Sequence, residues 1–210
     1  MLNEDSIVNL SGMDPEMAES VAKSIETVLT RYPSVKDAFS GFTTDDTDNE
    51  AFSDDGNTMA AYDPNTKLIH MNNKYYGNKA EFEKRYAETV QKQFHPEGTT
   101  AESVIVHEMG HAIDYYVSKK TIPRERFIWG GEKVSTRIWN NAIDAGKKAG
   151  EPLTGKSIRE GLSGYASSKP TEYLAEGFAE FVTSPSPRST ATHIGKRVEY
   201  YIKRAEKVGD

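Results

Sequence analysis

The sequence predicts an α+β fold, mostly helical, with a small sheet beside one central helix. Three observations carry this. Apolar residues recur at helical spacing in several segments, such as Met17, Val21, Ile25, Val28 and Leu29. Two apolar-bearing runs, 58–62 and 67–71, flank Asp63-Pro64-Asn65-Thr66, which signals a hairpin. The stretch from Val104 to Asp114 is apolar on most sides yet contains two His and a Glu. A buried helix does not tolerate such groups without partners for them.

A chain of 210 residues can bury a real core and is read as a single domain over 1–210. An apolar fraction of 36% and a mean hydropathy of -0.68 leave much of it as surface loop. No run approaches a membrane span, and no N-terminal stretch has a signal peptide's charged and apolar regions. The expectation is no membrane partner, and either a cytoplasmic location or export without a cleaved signal. The absence of Cys rules out disulfides and Cys-ligated metal. A net charge of -6 argues against a nucleic-acid partner.

In chain order, residues 1–12 are polar and expected to fray. Asp14-Pro15-Glu16 reads as an N-cap, a first-turn Pro and an acid, opening a helix that Pro33 stops after Tyr32. Val35 to Thr43 reads as a short strand holding Phe39 and Phe42. The acidic run from Asp45 to Asp55 lacks Gly at the sixth position and Glu at the twelfth, counting from Asp46, so it is a loop and not a calcium site. The hairpin follows, with Leu68 and His70 on one face and Ile69 and Met71 on the other, then a loop over 72–78. Lys79 to Phe94 is helical through Phe82, Tyr86 and Val90, and His95-Pro96-Glu97-Gly98 breaks it. Thr99 with Glu102 reads as a capping box, placing the central helix at about Thr100 to Val117. Residues 121–131 read as irregular, Lys133 to Lys148 as helix and 150–162 as loop. Residues 170–183 form a helix halted by Pro185 and Pro187, and Ile194 to Val208 a last amphipathic helix.

His107, Glu108 and His111 stand in the pattern H-E-x-x-H. Residues four apart share a helical face, so both imidazoles reach one metal ion. Glu108 lies one step round the helix, within reach of a metal-bound water without being a ligand. This is the zinc-protease arrangement. A catalytic zinc takes three protein ligands, and position 117 is Val, so a third His six residues after His111 is absent. Glu172, Glu176 and Glu180 line one face of the 170–183 helix. Glu172 and Glu176 are the candidates for the third ligand, and Glu180 reads as exposed. Asp114 shares the face of His107 and either orients a ligand His or serves as a cap.

With Ser163-Gly164-Tyr165-Ala166 and Glu172-Tyr173-Leu174-Ala175-Glu176 following the H-E-x-x-H helix, roughly residues 95 to 183 resemble the gluzincin metallopeptidases. The likeness is to the anthrax lethal factor and Pro-Pro endopeptidase catalytic domains and to zincin-like domains of phage minor head proteins. It implies a zincin-like fold, one zinc per chain held by His107, His111 and Glu172, and Glu176 beside a ligand His. It implies Glu108 as general base, Tyr165 as an oxyanion donor and the 58–71 hairpin as the edge for a peptide or protein substrate. A non-catalytic zinc-binding module in phage head assembly, virion-associated, and a toxin-like effector are the alternatives it carries.

Overall fold

The computed structural model describes residues 2–45, 52 and 57–208. The architecture is α+β: a small mixed sheet and a larger body of helices share one apolar core. Most of the acidic run, Asp46, Asp48, Glu50, Asp54 and Asp55, lies outside the described residues.

The first helix, α1 (Pro15–Arg31), starts as its sequence dictates. Asp14 accepts from the amides of Glu16 at 2.9 Å and Met17 at 3.3 Å, and Met17, Val21, Val28 and Leu29 face the core. Residues 1–12 do not fray throughout. Ile7–Asn9 forms β1, which pairs in parallel with β2 (Gly41–Asp45), and the Ile7 amide donates to Ser40 at 2.9 Å. Gly41 makes this possible: at φ +151° a Cβ there would sit 1.9 Å from the Ile7 carbonyl oxygen. The strand read over 35–43 is half right, because Pro33–Ala38 is a 3-10 turn and β2 begins only at Gly41.

The hairpin forms as expected. β3 (Ala60–Asp63) and β4 (Leu68–Asn72) pair antiparallel, and Asp63 sets the turn by accepting from the Asn65 amide at 2.8 Å and the Thr66 hydroxyl at 2.8 Å. Sheet order is β1-β2-β4-β3, with β2 and β4 parallel, so β3 is an edge. Residues 72–78 hold one helical turn, α2 (Asn73–Tyr76), because the Asn72 side chain caps the Lys74 amide at 3.0 Å. α3 (Lys79–Gln91) buries Phe82 and Tyr86.

The central helix is α4 (Ser103–Thr121), buried along nearly its whole length. The expected capping box is not made. The Thr99 hydroxyl is 2.6 Å from the Pro96 carbonyl and 3.0 Å from the Tyr86 hydroxyl, so a tertiary partner outcompetes the local cap and the helix starts later. Two segments read as irregular contain short helices, α5 (Arg124–Ile128) and α7 (Gly155–Gly161). The latter rests on a capping box between Thr154 and Ser157. α6 (Val134–Ala149) ends at Gly150 in the left-handed region, and α8 (Pro170–Thr183) matches its expected span. α9 (Ser189–Glu206) starts before the expected Ile194. Among the described residues no helix is long and apolar enough to cross a membrane.

Candidate metal centre

Helices α4 and α8 build the site by crossing closely. A Cβ on Gly110 would lie 3.1 Å from the Ala175 Cα, so a larger residue there would push the two backbones apart. The approach brings one carboxylate of α8 to two imidazoles of α4. His107 Nε2 lies 3.1 Å from His111 Nε2 and 3.0 Å from Glu172 Oε2, and His111 Nε2 lies 3.3 Å from the same oxygen. His107 and Glu172 are buried and His111 is half-buried; together the three could hold a metal ion. The protein groups fit such an ion. Glu172 Oε2 is buried with no aligned hydrogen bond, although two imidazole nitrogens converge on it. The other oxygen of Glu172 takes Lys169 Nζ at 3.2 Å.

A second carboxylate stands behind the first. Glu176 Oε1 lies 2.8 Å from His107 Nδ1, an ion-pair contact without hydrogen-bond alignment. Ser163 donates to Glu176 Oε2 at 2.8 Å, and His95 Nδ1 is 3.2 Å from Oε1. Burial alone would raise the Glu176 carboxyl, but His107 and His95 outweigh it and hold it down to about 2. The same contest holds Glu172 far below the ordinary carboxylate range, with His107 and His111 overcoming burial. Burial pulls the His107 imidazole down, and Glu172 and Glu176 carry it up well past its usual value.

Glu108 is buried and anchored from outside its own helix. Its Oε2 accepts from the main-chain amide of Tyr62 in β3 at 2.9 Å. Burial raises its carboxyl, with His111 and His107 opposing. Tyr165 reaches the site from a 3-10 turn, Tyr165–Ser167, after the Gly164 amide bonds Gln93 at 2.6 Å and its own amide bonds Phe94 at 3.0 Å. Its ring stacks on His107 with centroids 5.8 Å apart and planes 13° apart. Burial pushes the phenol up, helped by Glu172, Glu108 and Glu176.

Two expected placements change. Glu180 is not exposed: it is 0% accessible, and Arg188 grips it through Nε at 3.0 Å, Nη2 at 2.7 Å and its amide at 2.7 Å. Asp114 orients no histidine. It accepts from the Ser135 amide at 2.9 Å and the Ser118 hydroxyl at 3.3 Å, and so caps α6. His70 pairs with Asp45 at 2.6 Å on the sheet and takes no part in the metal group. What sequence reasoning missed is that Ser163 and His95 bond Glu176 and that the Tyr62 amide bonds Glu108. Ser163 lies two residues before Tyr165 and His95 in the break ahead of the central helix, whereas an amide contact leaves no trace in the sequence.

No protein-family model, curated protein or solved structure matches this chain.

Proposed function

We propose that the protein is a zinc-dependent endopeptidase. The observation that carries the reading is the triangle of His107 Nε2, His111 Nε2 and Glu172 Oε2, at 3.1, 3.0 and 3.3 Å, with the buried carboxylate of Glu108 on the next helical step. Three ligand atoms converging at these separations could hold one ion between them. Two imidazoles and one carboxylate are a donor set that suits zinc. Zinc bound there would supply a Lewis acid that brings the pKa of a water molecule to about 7.

The chain's own groups divide the remaining work. Glu108 accepts a proton at its carboxylate and returns it to the leaving amine, and burial strengthens it as a base. Glu176 stands behind His107 at Nδ1 and would favour the proton there, leaving Nε2 toward the ion. Tyr165, kept protonated by burial, donates its hydroxyl hydrogen to the oxygen of the attacked carbonyl. The 58–71 hairpin, whose edge strand β3 already commits its Tyr62 amide to Glu108, would hold an extended peptide through its remaining outer main-chain groups.

The direct test is to incubate the protein with one equivalent of zinc and a complex peptide mixture, and to map cleavage by mass spectrometry. Cleavage should vanish with a chelator and return when zinc is restored. Failure of the zinc-loaded protein to cut any peptide, or cutting that survives chelation, would overturn the reading. Within it, Tyr165→Phe is expected to keep zinc and lose turnover by about 10²–10³-fold, the effect of removing one oxyanion donor. Unchanged turnover would take Tyr165 out of the chemistry.

A further inference from the structure

The groove between β3 and α4, about 300 Å³, is lined by Ala60, Val104, His107 and Glu108, and beside them by His95 and Glu176. His95 lies in the bend between α3 and α4, outside the metal triangle. It is nonetheless closely held. Its ring stacks on Tyr86, with centroids 4.9 Å apart and planes 15° apart, and meets Phe94 edge-on at 5.0 Å. Tyr86 is itself fixed by hydrogen bonds with Thr99 at 3.0 Å and Ser103 at 2.7 Å. The chain reaches the ring through Gln93, at φ +55° in the left-handed region, a conformation that a residue with a side chain adopts when its surroundings impose it. Gln93 and Phe94 give their carbonyls to the amides of Gly164 and Tyr165, which lock the corner in place.

What this placement serves is Glu176. Its carboxylate is buried and offers only acceptors, so it needs donors around it. Ser163 supplies one to Oε2 at 2.8 Å. His95 Nδ1 supplies another, 3.2 Å from Oε1 and 3.4 Å from Oε2. Both are aligned hydrogen bonds. His107 Nδ1 is closer, at 2.8 Å from Oε1, but misaligned. Ser163 and His95 therefore orient the carboxylate, and His107 meets it in a place already set. Stacking on Tyr86 asks only for a flat ring, which Phe would supply. The nitrogen aimed at Glu176 is what requires histidine at this position.

We propose that His95 is a positioning residue for the metal centre: its Nδ1–H fixes the Glu176 carboxylate, and Glu176 in turn holds the His107 ring with Nε2 toward the ion. This rests on the zinc site of the reading above.

The test measures zinc affinity by competition with a chromophoric chelator, so it needs no turnover. His95→Phe keeps the stack and loses the donor. His95→Asn loses most of the stack and keeps an N–H near the position of Nδ1. The Phe variant should bind zinc about tenfold more weakly, the lower end of what a partner behind a metal ligand is worth, and the Asn variant should match the wild type. In a Glu176→Ala background, His95→Phe should cost nothing further, because its effect runs through that carboxylate. Circular dichroism checks the fold of each variant. His95→Leu, which also lacks the donor, replaces the Phe variant if that one does not fold. Unchanged affinity in His95→Phe, equal losses in His95→Phe and His95→Asn, or a loss that persists without Glu176 would each overturn the proposal, as would a wild-type protein that binds no zinc. Zinc-dependent cleavage by the wild type, with unchanged affinity in His95→Phe, would sink this proposal and leave proteolysis standing. The expected affinity pattern with no peptide cut would do the opposite.

Discussion

Under the proposed reading, Glu172→Ala is expected to abolish zinc binding at micromolar metal, whereas Glu176→Ala retains the ion with affinity weakened by about 10–100-fold. The two residues are one turn apart on α8 and equally buried, at 2% accessibility each, so burial does not separate them. Direction does. Glu172 Oε2 meets the Nε2 atoms of both histidines, while Glu176 meets only Nδ1 of His107 and is shared with His95 and Ser163. Removing the first leaves two imidazoles and no carboxylate among the converging ligand atoms. Removing the second leaves the three ligands in place and loosens one ring. Metal content by mass spectrometry after dialysis reads both variants. The opposite ranking would move the third ligand one turn along the helix.

Glu108→Gln is expected to keep zinc and to lose peptide hydrolysis by about 10²–10⁴-fold, the usual worth of a positioned general base. Gln is chosen because its carbonyl can still accept from the Tyr62 amide, as Glu108 Oε2 does at 2.9 Å. Packing and the anchor survive while the proton acceptor is gone, so the loss reports on proton transfer. Glu108→Ala would remove the anchor as well and confuse the two. If the Gln variant turns over at the wild-type rate, Glu108 is a structural residue and the water must be activated otherwise.

Much of this fold could be read in advance, and the exceptions share a cause. α1, α8 and the β3–β4 hairpin have local markers: Asp14-Pro15, Pro170 before the acidic stripe, and Asp63-Pro64-Asn65. β1 has none, because its three residues are held by pairing with a strand more than thirty positions away. α7 was legible in principle, since Thr154 and Ser157 form a capping box, but Gly and Pro around it point to a loop. At the site, helical spacing brings His107, His111 and Glu172 to one place, yet spacing describes a face and not what lies opposite. Glu180 repeats the same period, and nothing in the sequence marks it as buried. Its partner Arg188 lies beyond the two prolines that end α8, and only the tertiary turn carries the guanidinium back. Asp114 shares the face of His107 but is claimed by Ser135, the start of another helix.

The hydrogen bond from Tyr62 to Glu108 comes from main chain, which no ordinary side-chain replacement can remove. Only proline at position 62 would remove that amide; other substitutions at Ala60, Ala61 or Tyr62 leave it in place. Under the proposed reading, the strand that lines the groove can thus drift in sequence, and selection can retune which peptides it accepts, while the base stays aimed. Evolvability of recognition and constancy of chemistry are separated here by the difference between a side chain and a backbone.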